Sequence, residues 1–179
     1  MAKQKTRRVF FALWPDETVR QQIMTVFQQS PQAQLPERFM RPENLHLTLH
    51  FMGNVPEQKL DCYDHAAQQV HVPPFKINLD QYSYFSQAKV FTMSCSTIPD
   101  ALLKLYTSLA EGLTCCGYQQ ETRLYMPHVS LMRKLSEPGV INFFEHINWS
   151  VNNFVLVESV SVNGGVLYQV IRRYQLKII

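Results

Sequence analysis

Two segments of this sequence carry the same run of reactive side chains. His46-Leu47-Thr48-Leu49 and His128-Val129-Ser130-Leu131 each read imidazole, aliphatic, hydroxyl, leucine. Both lie in stretches of alternating apolar residues, and alternate side chains of a strand face opposite sides. His46 and Thr48 therefore share one face, with Leu47, Leu49 and Phe51 on the other. His128 and Ser130 likewise share a face opposite Val129 and Leu131. The aliphatic positions anchor each strand in a core, and two such strands side by side line a cleft with two imidazoles and two hydroxyls. Imidazole titrates near neutral pH, so one His can take a proton from an attacking hydroxyl or water while the other donates to a leaving oxygen. The hydroxyls can donate to oxygens that gain charge. Phosphoryl transfer uses this set, and it needs no metal when the substrate brings its own nucleophile or is strained.

Other chemistries fit less well. His46 and His50 fall on one face by alternation, but four residues of strand span about 13 Å, too far to share an ion. No Asp or Glu stands on these strands as a further ligand. A serine hydrolase lacks its G-x-S-x-G elbow. His65, His71 and His146 read as solvated or structural. Arg38 and Arg41 precede the first motif, Arg123 precedes the second, and Arg133 and Lys134 follow it, where they suit phosphate. Strict alternation turns Arg133 away from the His128 face unless the strand bulges.

The elements that must hold these residues are legible in outline. Residues 9–14 (VFFALW) read as a buried strand, and 15–29 as a helix opened by Pro15-Asp16-Glu17. Residues 30–44, with three prolines, read as loop, and 45–52 as a strand ended by Gly53-Asn54. Residues 56–70 form a helix, and 75–85 with 89–95 a strand pair. Residues 99–116 are the clearest helix, capped by Gly117. Residues 125–132 read as a strand, and 153–162 with 166–176 as a hairpin around Asn163-Gly164-Gly165. Strands and helices alternate early and strands dominate late, which favours an α+β fold.

The 179 residues suit one domain or two tightly joined lobes. Residues 17 Lys+Arg and 14 Asp+Glu leave a charge of +3, which fits an anionic ligand without demanding one. No apolar run approaches the length of a membrane span, and the N-terminal segment lacks a small-residue cleavage site. Cys62, Cys95, Cys115 and Cys116 show neither zinc spacing nor a disulfide framework. They read as small buried hydrophobes in a reducing cytosol.

At the two histidine segments the sequence resembles the 2H phosphoesterase superfamily, and within it the bacterial RNA 2′,3′-cyclic phosphodiesterases, also called the 2′–5′ RNA ligase family. The likeness extends to Arg8-Val9-Phe10-Phe11-Ala12-Leu13, to the block from Arg41 to Gly53, to Pro127 through Arg133, and to the terminal hairpin. Ser130 stands where Thr is commoner, and Met126 where a polar residue is frequent. The resemblance implies a bilobal fold: two pseudo-symmetric lobes of antiparallel sheet meeting in a central cleft, helices outside, all within residues 1–179. It implies metal-independent opening of 2′,3′-cyclic phosphates on RNA ends or small nucleotide phosphodiesters, without a cofactor. His46 would be the acid and His128 the base, with Thr48 and Ser130 on the non-bridging oxygens. Reversal with a 5′-hydroxyl would form a 2′–5′ linkage. Arg133 and Arg41 would contact substrate, and Phe10 or Phe11 would either stack on a base or, the reading the residues favour, pack in the core. A monomer in the cytoplasm is expected.

Overall fold

The computed structural model describes residues 5–36, 38–163 and 165–178, Arg38 by its backbone alone. The expected roles of the Arg38 side chain and of Gly164 in the hairpin turn lie outside the described residues.

The strands are β1 (Thr6–Leu13), β2 (Arg38–Phe39), β3 (Leu47–Pro56), β4 (Phe75–Leu79), β5 (Gln81–Phe85), β6 (Val90–Ser94), β7 (His128–Arg133), β8 (Ile147–Val151), β9 (Asn153–Val162) and β10 (Gly165–Gln175). The helices are α1 (Glu17–Gln28), α2 (Lys59–Gln68) and α3 (Asp100–Thr114), with short 3-10 turns at Pro31–Gln34 and Pro42–Asn44. Asp16 caps α1 by accepting from the Val19 N–H at 2.9 Å, and Val19, Ile23 and Phe27 form the buried stripe that docks the helix. Gly117 follows α3 at φ 78°, the left-handed conformation that releases the chain from a helix end.

One antiparallel sheet runs β10-β9-β1-β3-β7-β6-β5, with β2 on β7, and β4-β8 form a separate pair. The large sheet is two halves joined at its middle, where β3 meets β7 through Leu47 and Val129. One face, with Val9, Phe11, Leu13, Leu47, Val129 and Met132, packs into the main core with the helices. The other carries Phe10, Ala12, Val155 and Val157 as a smaller apolar floor. The α+β, two-lobed expectation is thus met by halves that share a sheet.

Several local expectations are corrected. The strand expected over 75–85 breaks at Asp80, whose carboxylate accepts from the Ser96 N–H at 2.7 Å and turns the chain. β4 leaves to pair with β8, a strand the sequence reading passed over, while β5 pairs with β6. β3 does not stop at Gly53. Met52 is an extra residue there, and Gly53 at φ 72° carries the bulge onward to Pro56. The cysteines are not four separate hydrophobes. Cys62 on α2 and Cys116 after α3 form a disulfide, and Cys115 is exposed. The pairing was hidden because it depends on α2 lying against α3, where Gly112 meets Ala66 closely.

Candidate active site

Both motifs come together at the seam of the sheet. The antiparallel register centred on Leu47 and Val129, continued one residue each way, sets His46 across from Ser130 and Thr48 across from His128. Leu47 and Val129 are fully buried on the core face, so the four polar side chains share the opposite face. The two imidazoles occupy diagonal positions, which in such a pair lie about 7–8 Å apart at the backbone. They are close enough for the charge of His128 to disfavour protonation of His46.

Each ring is locked the same way. His46 Nδ1 donates to the Asn44 carbonyl at 2.6 Å, and His128 Nδ1 donates to the Met126 carbonyl at 2.8 Å. A carbonyl only accepts, so the proton sits on Nδ1 and Nε2 is left for the cleft. Asn44 is itself fixed: its Nδ2 donates to the Val166 carbonyl at 2.9 Å and its Oδ1 accepts from the Tyr168 N–H at 3.1 Å. Aromatic rings wall the pair, with Phe10, Trp14 and Tyr168 around His46 at 4.9, 5.7 and 5.1 Å and Phe85 beside His128 at 4.8 Å. Burial is the main force lowering both imidazoles from their ordinary 6.5, with the Arg133 charge adding to it; His46 falls to about 4. Among the described residues, neither the Thr48 nor the Ser130 hydroxyl takes a hydrogen bond, so both can serve a ligand.

Arg133 reaches this face through a bulge. Thr92 pairs with Ser130 and Phe91 with Met132, so Leu131 is an extra residue of β7 and alternation resets behind it. Met132 turns into the core and Arg133 returns to the side of His128 and Ser130. β3 does the same. Ala12 pairs with Thr48 and Phe11 with His50, leaving Leu49 extra. His50 therefore faces the core, not the His46 side as alternation predicted. There it stacks on Tyr106 at 4.2 Å and contacts the Tyr106 carbonyl at 2.8 Å and the Tyr118 hydroxyl at 3.1 Å. Phe51, expected in the core with Leu47, is 46% exposed on the cleft face instead.

A family model described as LigT like phosphoesterase matches residues 13–91. The chain is 30% identical over 176 residues to the RNA 2′,3′-cyclic phosphodiesterase of Escherichia coli strain K12, spanning 95% of this chain and 97% of that one. This chain belongs to the LigT-like phosphoesterase family. A second family member, the RNA 2′,3′-cyclic phosphodiesterase of Thermotoga maritima, is 26% identical over 95% of this chain and 96% of its own. Among solved structures, E. coli LigT complexed with 3′-AMP superposes with a TM-score of 0.87 at 27% identity, covering 96% of this chain and 99% of that one.

Of the residues singled out in the sequence of this LigT-like phosphoesterase, His46, Thr48, His128, Ser130 and Arg133 come together. Arg41 is exposed at the start of a 3-10 turn, and its side chain makes no hydrogen bond or ion pair among the described residues. Arg123 pairs with Glu121 at 2.7 Å instead. For Phe11 core packing holds and base stacking is corrected. The alternation of β1 puts it on the core face, fully buried against Phe154 and Tyr174, where no base can reach it. Phe10 faces the site but is covered, as flooring beside His46. The reading missed Asn44, Trp14, Tyr168 and Phe85. Asn44 alone had a signal, an amide two residues before a motif histidine.

Proposed function

We propose that this chain is an RNA 2′,3′-cyclic phosphodiesterase that opens the terminal cyclic phosphate to a 2′-phosphomonoester. The observation that carries this reading is the paired register of two His-x-hydroxyl motifs about Leu47 and Val129, each ring locked through Nδ1. The names of its relatives support the same substrate class. His128 Nε2 takes a proton from water as the water oxygen bonds to phosphorus. The bond from phosphorus to the 3′ oxygen breaks, and protonated His46 Nε2 gives that oxygen its proton. Thr48, Ser130 and Arg133 hold the non-bridging oxygens. In the empty cleft His46 resists protonation, so its charging accompanies the arrival of the diester anion. Run backwards with a 5′-hydroxyl, the site joins a 2′–5′ linkage. Residues 1–179 form a single two-lobed domain that works without a cofactor, as a monomer in the cytoplasm.

The test is product analysis on an oligonucleotide ending in a 2′,3′-cyclic phosphate, in excess chelator. The expected product carries a 2′-phosphate, and His46→Ala and His128→Ala each lose ~10²–10⁴-fold in rate. A 3′-phosphate, or no turnover by the native protein, overturns the reading. Small cyclic nucleotides and 2′–5′ oligonucleotides run in parallel define how far the substrate class extends.

A further inference from the structure

Three of the four cysteines meet where α2 lies against the end of α3. Cys62 on α2 is bonded to Cys116, and Cys115 keeps a free thiol beside them. The three sulfurs all lie within 4.8 Å of one another. Cys115 Sγ is 3.7 Å from Cys116 Sγ and donates to the Gly112 carbonyl at 3.0 Å, which holds it against the bridge. Exposure is divided unequally. Cys116 is 7% exposed and Cys62 is half-buried, while Cys115 is open to solvent. A reagent from solution thus meets Cys115 first. Cys95, just after β6, is buried and outside this group. No histidine, further cysteine or carboxylate joins the three among the described residues, so they lack the fourth ligand of a closed zinc site.

Exchange between a thiol and a disulfide needs a thiolate within reach of a disulfide sulfur. Cys115 has two such sulfurs beside it, and backbone geometry selects one. Neighbouring residues have Cα atoms about 3.8 Å apart, below the roughly 4.4–6.8 Å that a disulfide spans without strain. A Cys115–Cys116 bond is therefore disfavoured, and Cys62 is the sulfur to attack. In that step a bond forms between Cys115 Sγ and Cys62 Sγ, and the Cys62–Cys116 bond breaks. Cys116 leaves as a thiolate and takes up the proton that Cys115 gave up, so nothing is oxidised or reduced overall. The two bridges differ by one residue in the loop they close, so chain entropy favours neither.

We propose that Cys115 is a thiol-exchange site: through it a low-molecular-weight disulfide of the glutathione class closes the Cys62–Cys116 bridge, and the matching thiol opens it. In the closing direction the Cys115 thiolate attacks the small disulfide, and one small thiolate leaves. The Cys62 thiolate then attacks Cys115 Sγ, and the second small thiolate leaves. Cys116 attacks Cys62 Sγ last and returns Cys115 to the thiol. Two protein thiols are oxidised, the small disulfide is reduced to two thiols, and the protons given up by the protein go to them. Opening follows the same steps in reverse. The staple between α2 and α3 is thereby set by the surrounding small thiols. Tyr118, two residues past Cys116, meets His50 of β3 through its hydroxyl at 3.1 Å, so the staple also fastens the helices behind the strand that carries Thr48.

The experiment starts from the fully reduced native protein, adds glutathione disulfide, quenches with an alkylating reagent at intervals and maps the cysteines by mass spectrometry. Cys115 bonded to glutathione is expected first and the Cys62–Cys116 bridge later, with Cys95 free throughout. Cys62→Ser stops at the Cys115 mixed disulfide, and Cys116→Ser accumulates a Cys62–Cys115 bridge. Cys115→Ser slows both closing and reopening by reduced glutathione at least ~10-fold, because the reagent must then reach the shielded sulfurs directly. The oxidised native protein has a higher urea midpoint than the reduced one, and fully oxidised Cys115→Ser matches it, which shows that the variant keeps the fold and loses only the route. Rates for Cys115→Ser within twofold of native overturn the proposal, as does a Cys116→Ser protein that yields no Cys62–Cys115 bridge. Glutathione found first on Cys62 or Cys116 overturns it as well, and equal midpoints for the oxidised and reduced native protein remove the staple.

Discussion

At the scale of single residues, the site is defined by what each imidazole is denied. Its Nδ1 is committed to a carbonyl, its surroundings are apolar or cationic, and no carboxylate contributes to its shift. Both rings are therefore neutral at pH 7 in the empty cleft. The profile of kcat/KM against pH reports groups of the free enzyme, and catalysis needs one ring protonated there. Both imidazoles are lowered, so kcat/KM is expected to fall with rising pH through a midpoint below 6.5. The kcat profile, measured on the enzyme holding a diester anion, is displaced to higher pH, because the anion supplies the missing countercharge. Coincident profiles centred above 6.5 would contradict this account. Ser130 keeps the hydroxyl of the motif without the methyl of Thr48, so its rotamer is the less restricted of the two.

At the scale of elements, the strands place the site only because they are irregular. A regular β7 would send Arg133 away from the histidines, and the extra Leu131 reverses that. Arg133→Ala is expected to lose ~10²–10³-fold in kcat, the scale of removing one oxyanion donor. Arg133→Lys is expected to recover only part of this, since a point charge replaces a planar fork. A loss confined to KM would instead make Arg133 a uniform binding contact. The same irregularities mark the limit of the sequence. The motif faces around His46 and His128 were legible because Leu47, Val129 and their neighbours alternate strictly. The faces of His50, Phe51 and Arg133 were not, because the bulges at Leu49 and Leu131 fall on ordinary leucines with no glycine to announce them. β8 alternates (INWSV), but its partner β4 runs on in sequence into β5 as one apparent strand, so their pairing is not legible. The helices were placed to within a few residues because their stripes and caps, such as Asp16 and Gly117, are local.

At the scale of the whole molecule, placing three imidazoles where charge is disfavoured couples function to stability. Burial lowers His46, His50 and His128 together. A histidine lowered in the folded state is more readily protonated in the unfolded chain, so acid favours unfolding. The contribution is complete above the unfolded value of about 6.5 and is lost as pH falls toward each folded value. For His46 the window runs from 6.5 down to about 4. That single shift is worth about 3 kcal/mol, a large share of a domain's net stability. The urea midpoint is expected to drop steeply between pH 6.5 and 4.5, and His46→Gln is expected to flatten that drop. Phosphate gives an independent check. An anion bound beside Arg133 and between His46 and His128 favours the charged forms of the two imidazoles, so it is expected to raise the midpoint more at pH 5 than at pH 7.5. Equal stabilisation at both pH values would mean that the anion binds away from the histidines, and that the cleft does not couple proton uptake to its ligand.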